Sequence, residues 1–544
     1  MREKIRQTIK DTASQLGEVG DFSVEVNYPE AKFGDYATNA ALVLSKPLKS
    51  KPQDVAKSLV EKMDKALFES VEIAGPGFIN FKLKASELLN TNYKAPKQDS
   101  TKILLEYFQP NIAKPLHVGH LRTAIIGDSL KRMLLYMGYE VESDTHMGDW
   151  GTQFGFLILA YKKFGKVDEK NYAELNAEAE TDESIRDAAK QEFVKLEKGD
   201  AQNRQIWKSL VDESVQQFLQ INDLMDILPF DHHWPESFYE DKMPSVLEQL
   251  KSKGILKESQ GAQIVDLEPQ GLGIAVIIKS DGGTTYLLRD LATFIFGKEQ
   301  GFGKHLYVVD NRQTHHYRQM FEILKLMGVT EKQTASQHIA YGFISFKGEA
   351  LSTRKGNMIL AHDVIAQAEE KVAAIIEQKN PNLKNKKDAV SAIVKGALKY
   401  FDLKHNRHSD IEFDWDQALD FEGDSGPYLQ YSYARLASIL RKAESQRTNY
   451  KMATIITTTE RELLFKLSIL PEIVEDALKD YLPNVLANYL YNLAGLINKF
   501  YHESQVLAEK DEGVKNFRLG LIAKAKETLR QGLDLLGIKV LEEM

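Results

Sequence analysis

The most informative local pattern is a short apolar run followed by apolar positions at helical spacing. Residues 103–108 (ILLEYF) have the length of a strand, and Pro110 and Pro115 keep the next segment out of a helix. From Leu121 to Met137, apolar side chains return every three to five residues. The pattern predicts a buried strand, a turn and a helix.

Further apolar runs alternate with helical stretches downstream. Strands are expected at 274–278, 306–309 and 339–343, with helices between them. Strands that alternate with helices favour a parallel, doubly wound sheet of the Rossmann-like α/β class. The span near 160–260 is helical and charged, and we interpret it as an insertion into this α/β unit.

The two ends of the chain differ from this middle part. Residues 1–95 mix helical and strand-like segments and predict an N-terminal α+β module, which a polar linker follows. The α/β unit then occupies 100–415. Residues 420–544 keep helical spacing without strand signals, so an all-helical bundle is expected there. A length of 544 residues agrees with three or four domains at roughly 150 residues each.

Composition narrows the class of protein. With 43% hydrophobic and 27% charged residues, the chain matches a soluble globular protein. It contains no cysteine, which excludes disulfides, thiol nucleophiles and thiolate zinc sites. The sequence shows neither a signal-peptide pattern nor an apolar segment of membrane-spanning length, so we expect a cytoplasmic protein with no membrane partner.

The net charge of −8 argues against a simple polycation that binds nucleic acid nonspecifically. Residues 167–200, however, contain 11 acidic and 5 basic residues, so this part of the insertion carries most of the excess. We expect it to be a solvated face. The rest of the chain is near neutral and can place local cations against a nucleic acid.

His117 and His120 fall in the predicted turn between strand and helix. In an open parallel sheet this turn lies at the carboxyl end of a strand, where ligands bind, and the helix N-terminus favours phosphate. Gly119 lets the backbone approach the ligand closely. The alternative interpretations are that the two histidines have no function or that they bind a metal ion as a pair. Asn111 and Lys114 just before them favour phosphate binding instead. No P-loop motif occurs in the chain.

The stretch ALSTRKGNMI, 350–359, is a second candidate phosphate site. It places two hydroxyl groups and two cations beside a glycine, a composition that suits a pyrophosphate and the charge that develops during transfer at phosphorus. The alternative is an ordinary solvated loop. The residues concerned are Ser352, Thr353, Arg354, Lys355 and Gly356.

Together these motifs resemble the class I aminoacyl-tRNA synthetases, and specifically the arginyl-tRNA synthetase family. NIAKPLHVGHLRT resembles the family's HIGH motif, HMGDWGTQFG the segment after its second strand, and LSTRKG its KMSKS loop. KFGDYATNAA and GPGFINFKL are similar to its N-terminal tRNA-contacting module. GPYLQYSYARLASILRKA is similar to the start of its helical anticodon-binding domain. The resemblance extends over essentially the whole chain, in order.

The resemblance implies activation of arginine with ATP, followed by its transfer to tRNA(Arg). It assigns catalytic roles to five residues and ATP binding to an overlapping set. The catalytic set is Lys114, His117, His120, Arg354 and Lys355, and the ATP-binding set is His117, Gly119, His120, Ser352 and Lys355. Mg²⁺ is expected to accompany ATP, with no structural metal, and the family implies a monomer.

For the amino acid, the resemblance implies a pocket of one carboxylate and several polar groups. A guanidinium is always charged and presents a planar fork of donors, so such a set suits it. The alternatives are that Asp290 pairs with Arg289 and that Tyr286 is a core ring. The arginine-binding set is Gln109, Asn111, His120, Tyr286, Asp290 and Gln313.

Two positions depart from the family pattern. Thr145 stands before His146 where the family usually has Asn, so we leave it out of the binding set. The 350–356 loop lacks the first lysine of the KMSKS pattern, and in arginyl enzymes the lysine before the HIGH motif, here Lys114, is thought to compensate. Which of Lys114, Arg354 and Lys355 carries the phosphate charge stays open at this stage.

For tRNA, the resemblance implies contacts by the N-terminal module, the catalytic cleft and the helical bundle. Tyr428, Tyr431 and Arg435 form an aromatic and cationic set able to stack on unpaired bases, whereas Tyr433 shares an apolar stripe and is expected inside. The alternatives for the whole chain are another class I specificity, an inactive RNA-binding paralogue and a nucleotidylyltransferase.

Overall fold

The structure is a computed structural model that describes residues 1–89, 101–112, 116–167, 169–330, 336–346, 360–443 and 457–544. The N-terminal region contains α1 (Arg2–Ser14), β1 (Val26–Asn27), β2 (Tyr36–Thr38), α2 (Ala40–Leu44), α3 (Pro52–Lys62), β3 (Phe68–Ala74), β4 (Phe78–Leu83) and α4 (Ala85–Leu89).

The central region contains β5 (Lys102–Glu106), α5 (Val118–Tyr136), β6 (Val141–Asp144), α6 (Gln153–Phe164), α7 (Glu169–Thr181), α8 (Glu183–Glu197), α9 (Ala201–Leu224), α10 (Met243–Ser252), β7 (Leu256–Ser259), β8 (Ala262–Asp266), β9 (Ile274–Ile278), α11 (Tyr286–Glu299), β10 (Phe302–Asp310), α12 (Thr314–Leu326), β11 (Ser336–Tyr341) and β12 (Ile344–Phe346).

The C-terminal part is almost entirely helical. It contains α13 (Ala361–Lys379), α14 (Lys386–Leu403), β13 (Ile411–Phe413), α15 (Trp415–Ala418), α16 (Gly426–Lys442), α17 (Thr458–Ser468), α18 (Leu470–Lys479), α19 (Pro483–Glu503) and α20 (Glu512–Leu535).

A parallel sheet forms the centre of the molecule, with strand order β11-β10-β5-β6. Leu306 of β10 stands opposite Leu105 of β5, and both are fully buried. Burial on both faces explains why these strands have apolar runs rather than alternation. The carboxyl ends of β5 and β10 are neighbours at one edge of the sheet. The predicted fold class, a parallel α/β unit between an α+β module and a helical bundle, is confirmed.

One predicted strand of the parallel sheet belongs elsewhere, so that expectation was wrong. Residues 274–278 form β9, which pairs antiparallel with β8 in a separate sheet of order β7-β8-β9. Ala275 and Ile277 are buried while Ile274 and Val276 are exposed. The run IAVII looks like a fully buried strand, but only one of its faces is covered, as is common in antiparallel sheets.

Polar contacts fasten the N-terminal region to the C-terminal helices. Arg461 of α17 forms two hydrogen bonds of 2.8 and 2.9 Å with the buried carboxylate of Asp35, next to β2. Glu472 of α18 accepts hydrogen bonds from the hydroxyls of Tyr28 and Tyr36, at 2.8 and 3.0 Å. The antiparallel sheet β1-β2-β4-β3 therefore rests on the helical region.

Helix α5 joins the parallel sheet to the C-terminal helices. Near its start, Arg122 donates to the backbone carbonyls of Gly342 and Phe343, just beyond β11. About two turns further along, the hydroxyl of Ser129 donates to the carbonyl of Leu535 at 3.0 Å. One helix thus contacts both the edge of the sheet and the last helix of the chain.

Candidate active site

The two histidines of the strand-to-helix turn form the N-terminal cap of α5. The backbone N–H of Gly119 donates to Nδ1 of His117 at 3.1 Å, and the N–H of His117 donates to Nδ1 of His120 at 3.2 Å. The two ring centroids are 3.9 Å apart. Because Nδ1 accepts in both rings, a neutral ring carries its proton on Nε2, which is then a hydrogen-bond donor.

Gly119 is required by this cap. A Cβ at this position would lie 2.9 Å from Cε1 and 3.0 Å from Nδ1 of His117, closer than side-chain carbons approach. The sequence suggested that the glycine admits a ligand. In the structure it makes room for the imidazole that caps the helix.

A cavity of about 670 Å³ opens at the carboxyl ends of β5 and β10. The histidine turn lines it, together with residues from the starts of α11 and α12 that are far away in sequence. Every described member of the predicted ATP-binding and arginine-binding sets lines this cavity: Gln109, Asn111, His117, Gly119, His120, Tyr286, Asp290 and Gln313.

Asp290 of α11 lies between two imidazoles. Its Oδ2 is hydrogen-bonded to Nε2 of His316 in the first turn of α12, and its Oδ1 lies 3.9 Å from Nε2 of His146. Burial raises the pKa of Asp290, but the hydrogen bond to His316 and the charges of His316, His146 and Arg289 outweigh it, so the pKa is lowered. The carboxylate is therefore ionised and suits a cationic ligand.

The alternative partners considered from the sequence are not the ones observed. Arg289 pairs with Glu236, with 3.5 Å between Nε and Oε2, rather than with Asp290. Tyr286 is 54% exposed and is not a core ring. The guanidinium of Arg289 lies 4.6 Å from the centre of the Tyr286 ring and holds one side of it.

Glu106, the last residue of β5, is a cavity residue that the sequence reasoning missed. Its side chain is buried, and Gln109 donates to its Oε1 at 3.2 Å. Burial, followed by the charges of Asp144 and Asp290, raises its pKa well above the ordinary value. The sequence did contain a signal for this site residue, because Glu106 is an acidic residue at the end of an otherwise apolar strand.

Glu106 also belongs to a compact group of possible metal donors. Its ligand atom and those of Asp144 and His146 all lie within 4.8 Å of one another, and within the described ranges this is the group that could hold a metal ion. Burial raises the pKa of Asp144 to about 7 despite the backbone hydrogen bonds that it accepts. The group lies beside the same cavity, because Glu106 and His146 line it.

The far side of the cavity is formed by the segment after β11. Phe343 is 43% exposed, and the guanidinium of Arg312 lies 4.7 Å from its ring centre. Four residues of the predicted catalytic and ATP-binding sets fall outside the described residues: Lys114, Ser352, Arg354 and Lys355.

The residues predicted to contact tRNA lie on α16, away from the cavity lining. Tyr431 is 45% exposed. Asn498 of α19 donates to the hydroxyl of Tyr428 at 2.9 Å and accepts from Arg435 at 3.3 Å, so these two side chains are held together. Tyr433 is buried, as expected, and its hydroxyl donates to Glu542.

Comparisons with known proteins identify the family. The model of the class I (R) tRNA synthetase catalytic domain matches residues 84–415. The arginyl-tRNA synthetase N-terminal domain matches 1–83, and the DALR anticodon-binding domain matches 429–544. The chain belongs to the arginyl-tRNA synthetase family.

Individual members of this family align over the full length. The arginine–tRNA ligase of Ligilactobacillus salivarius is 38% identical, over 99% of this chain and 99% of the relative. The arginyl-tRNA synthetase structure from Thermus thermophilus superposes with a TM-score of 0.87 at 26% identity, covering 100% of both chains. That from Plasmodium falciparum gives a TM-score of 0.83 at 25% identity, covering 100% of this chain and 99% of the other.

Proposed function

We propose that the chain is an arginine–tRNA ligase. It activates L-arginine with ATP to arginyl-adenylate and pyrophosphate, and it then transfers arginine to the 3′-terminal adenosine of tRNA(Arg). The observation that carries the proposal is one cavity, lined by both the histidine turn and the acidic start of α11, in a full-length member of this family.

At one end of the cavity, Asp290 and Glu106 bind the guanidinium of arginine. Two carboxylates from different elements match a planar fork of donors that never loses its charge. The polar groups of Gln109, Asn111, Tyr286 and Gln313 orient the rest of the amino acid, and His120 contacts it from the helix cap. In this proposal the guanidinium, rather than a metal, neutralises Glu106, so the protein needs no structural metal.

At the other end, the triphosphate of ATP lies over the N-terminus of α5. Helix-terminal N–H groups and dipole favour an anion there, and the Nε2–H groups of His117 and His120 donate to phosphate oxygens. Lys114, Ser352, Arg354 and Lys355 supply further positive charge and hydrogen bonds, as the family resemblance implies. ATP enters as its magnesium complex.

The chemistry needs positioning more than covalent participation by the protein. The carboxylate of arginine attacks the α-phosphorus, and the bond to pyrophosphate breaks. The histidine donors act where negative charge builds up on the phosphate oxygens. In the second step a ribose hydroxyl of the terminal adenosine attacks the arginyl carbonyl, and AMP leaves.

Contacts with tRNA are divided among three regions in this proposal. Residues 1–95 contact the elbow of the tRNA, the catalytic region 100–415 binds the acceptor end, and 420–544 binds the anticodon. Tyr431 of α16 offers an exposed ring for stacking on an unpaired base, and Tyr428 and Arg435 flank it.

We further propose that the protein acts as a monomer in the cytoplasm, where its substrates are. Among the described helices, none is long and apolar enough to cross a membrane.

The test is arginine-dependent exchange of pyrophosphate into ATP, with and without tRNA(Arg), together with aminoacylation assays using each amino acid separately. We expect charging with arginine alone. Charging with a different amino acid would show another class I specificity. Folded protein that binds tRNA but gives neither exchange nor charging would show an inactive paralogue.

A further inference from the structure

His316 is a cavity residue that the proposed roles above leave without a task. It lies in the first turn of α12, its side chain is 23% exposed, and Nε2 is hydrogen-bonded to Oδ2 of Asp290. The second oxygen of Asp290 faces His146. His316 therefore fixes one oxygen of the carboxylate that is to bind arginine, and it leaves the other directed toward the remaining part of the site.

The charge of His316 follows from its surroundings. Burial lowers its pKa, but the hydrogen bond and the charge of Asp290 outweigh burial, so the pKa is raised above the ordinary value. His146 is different, because burial lowers its pKa. Asp290 thus favours the protonated form of the His316 ring to which it is hydrogen-bonded.

The other ionisable groups around this pair come from every neighbouring element. They are Glu106, His146, Glu236, Arg289, Asp310 and His338. Burial raises the pKa of both glutamates and so favours their neutral forms, and the fixed cation Arg289 opposes a second cation on the same carboxylate.

We propose, on the basis of Asp290 as the carboxylate that binds the guanidinium, that His316 is a positioning residue which releases its ring proton when arginine binds. A guanidinium keeps its charge, whereas an imidazolium can lose a proton near neutral pH. The proton passes to water. The neutral ring keeps Nε2–H and continues to donate to Oδ2, so the position of Asp290 is maintained. The site loses the positive charge of the imidazolium as it gains that of the guanidinium.

The direct measurement is titration calorimetry of L-arginine into the full-length protein in two buffers of different ionisation enthalpy, at the same pH. The heat difference gives the number of protons released. We expect net release from the wild type and from the control His315→Gln, a change at the neighbouring exposed histidine. We expect a smaller release from His316→Gln, because glutamine can donate to Asp290 but does not titrate, so that only a proton given up by Glu106 remains.

The arginine KM in aminoacylation gives a second readout. In the wild type it falls with rising pH, by up to about tenfold per pH unit where His316 is protonated, since one proton is exchanged per arginine. In His316→Gln this slope is reduced, while the pH dependence of the ATP KM stays as in the wild type. His316→Ala raises the arginine KM, because it removes the donor to Asp290, and His316→Gln restores it toward the wild-type value.

Proton release that is absent from the wild type, or equal in the wild type and His316→Gln, overturns the proton exchange. Equal arginine KM values in His316→Ala, His316→Gln and wild type overturn the positioning role. Asp290→Asn separates these failures from failure of the proposed function. If that change leaves the arginine KM unaltered, the arginine pocket itself is wrongly assigned, whereas a raised KM without any effect of His316 refutes only the role of His316.

Discussion

The guanidinium of Arg122 lies 3.4 Å from the carboxylate of Asp402, and both side chains are buried. Arg122 also donates to the backbone carbonyls of Phe343 and Ser409, at 2.8 and 3.2 Å. One side chain of α5 thus ties the start of this helix to α14 and to the segment that forms the far wall of the cavity.

Replacing Arg122 should destabilise the protein strongly. Arg122→Met leaves Asp402 buried without its cation, and loss of one partner of a buried pair costs about 3–5 kcal/mol. Urea unfolding measures the change. The control Arg530→Met removes an exposed arginine whose ion pair, within the described residues, is with its helix neighbour Glu527, and it should cost no more than about 0.5 kcal/mol. Equal losses in the two variants would contradict the role of Arg122.

His120 caps α5 through Nδ1 and is proposed to donate to phosphate through Nε2. Two different substitutions separate these roles. His120→Ala removes both the acceptor for the N–H of His117 and the donor at Nε2, so we expect about 10²- to 10³-fold slower aminoacylation and about 1 kcal/mol lower stability. In His120→Asn the side-chain oxygen can keep the cap, so the rate falls similarly while stability is largely retained. A folded His120→Ala protein within about tenfold of the wild-type rate would rule out the donor role.

Asp290→Asn should act on arginine rather than on ATP. It removes the negative charge opposite the guanidinium, and a hydrogen bond to a charged group is worth about 1.5–3 kcal/mol, which corresponds to about 10- to 100-fold in KM for arginine. Steady-state kinetics at saturating ATP measures this. Asp281→Asn, on the exposed loop before α11, is the control. Similar increases in the arginine and ATP KM values would place Asp290 outside the amino-acid pocket.

Glu236 makes stability depend on pH. Burial raises its pKa from 4.5 to about 8, although Arg289 opposes this. The folded protein therefore binds a proton that the unfolded chain lacks between these values, so the contribution to stability is complete below about pH 4.5 and is lost as pH rises to about 8. Thermal melts across this range should show a weaker decline in Glu236→Gln than in the wild type. Glu268→Gln, at an exposed turn, should follow the wild type, and parallel curves for all three would contradict the prediction.

Local sequence patterns predicted the histidine turn well, for a physical reason. Pro110 and Pro115 keep the segment after the strand out of a helix, and the apolar spacing from Leu121 indicates the helix, although α5 begins at Val118 and so includes His120. The parallel strands were likewise visible because both of their faces are buried. β9 was misplaced because an apolar run does not reveal whether one face or two faces will be covered.

The contacts that define the cavity could not be predicted from local sequence patterns. Glu106 becomes a site residue only because β6 brings Asp144 beside it and α11 brings Asp290 opposite. Adjacent residues in a helix point in different directions, so Arg289 turns away from Asp290 toward Glu236, which lies more than fifty positions earlier in the chain. Such pairings depend on the tertiary fold, and no local pattern encodes them.

Helix α5 has 19 residues, which gives it a length of about 28 Å. Its first residues are capped by the imidazoles that face the cavity, and its later turns hold Leu535 of the last helix and the buried Lys399 of α14. A helix of this length is stiff compared with the loops around it. If the C-terminal helices tilt against the sheet, either these contacts break or α5 tilts with them. In the second case the imidazoles at its N-terminus are displaced. The candidate active site and the C-terminal helices are therefore connected through α5.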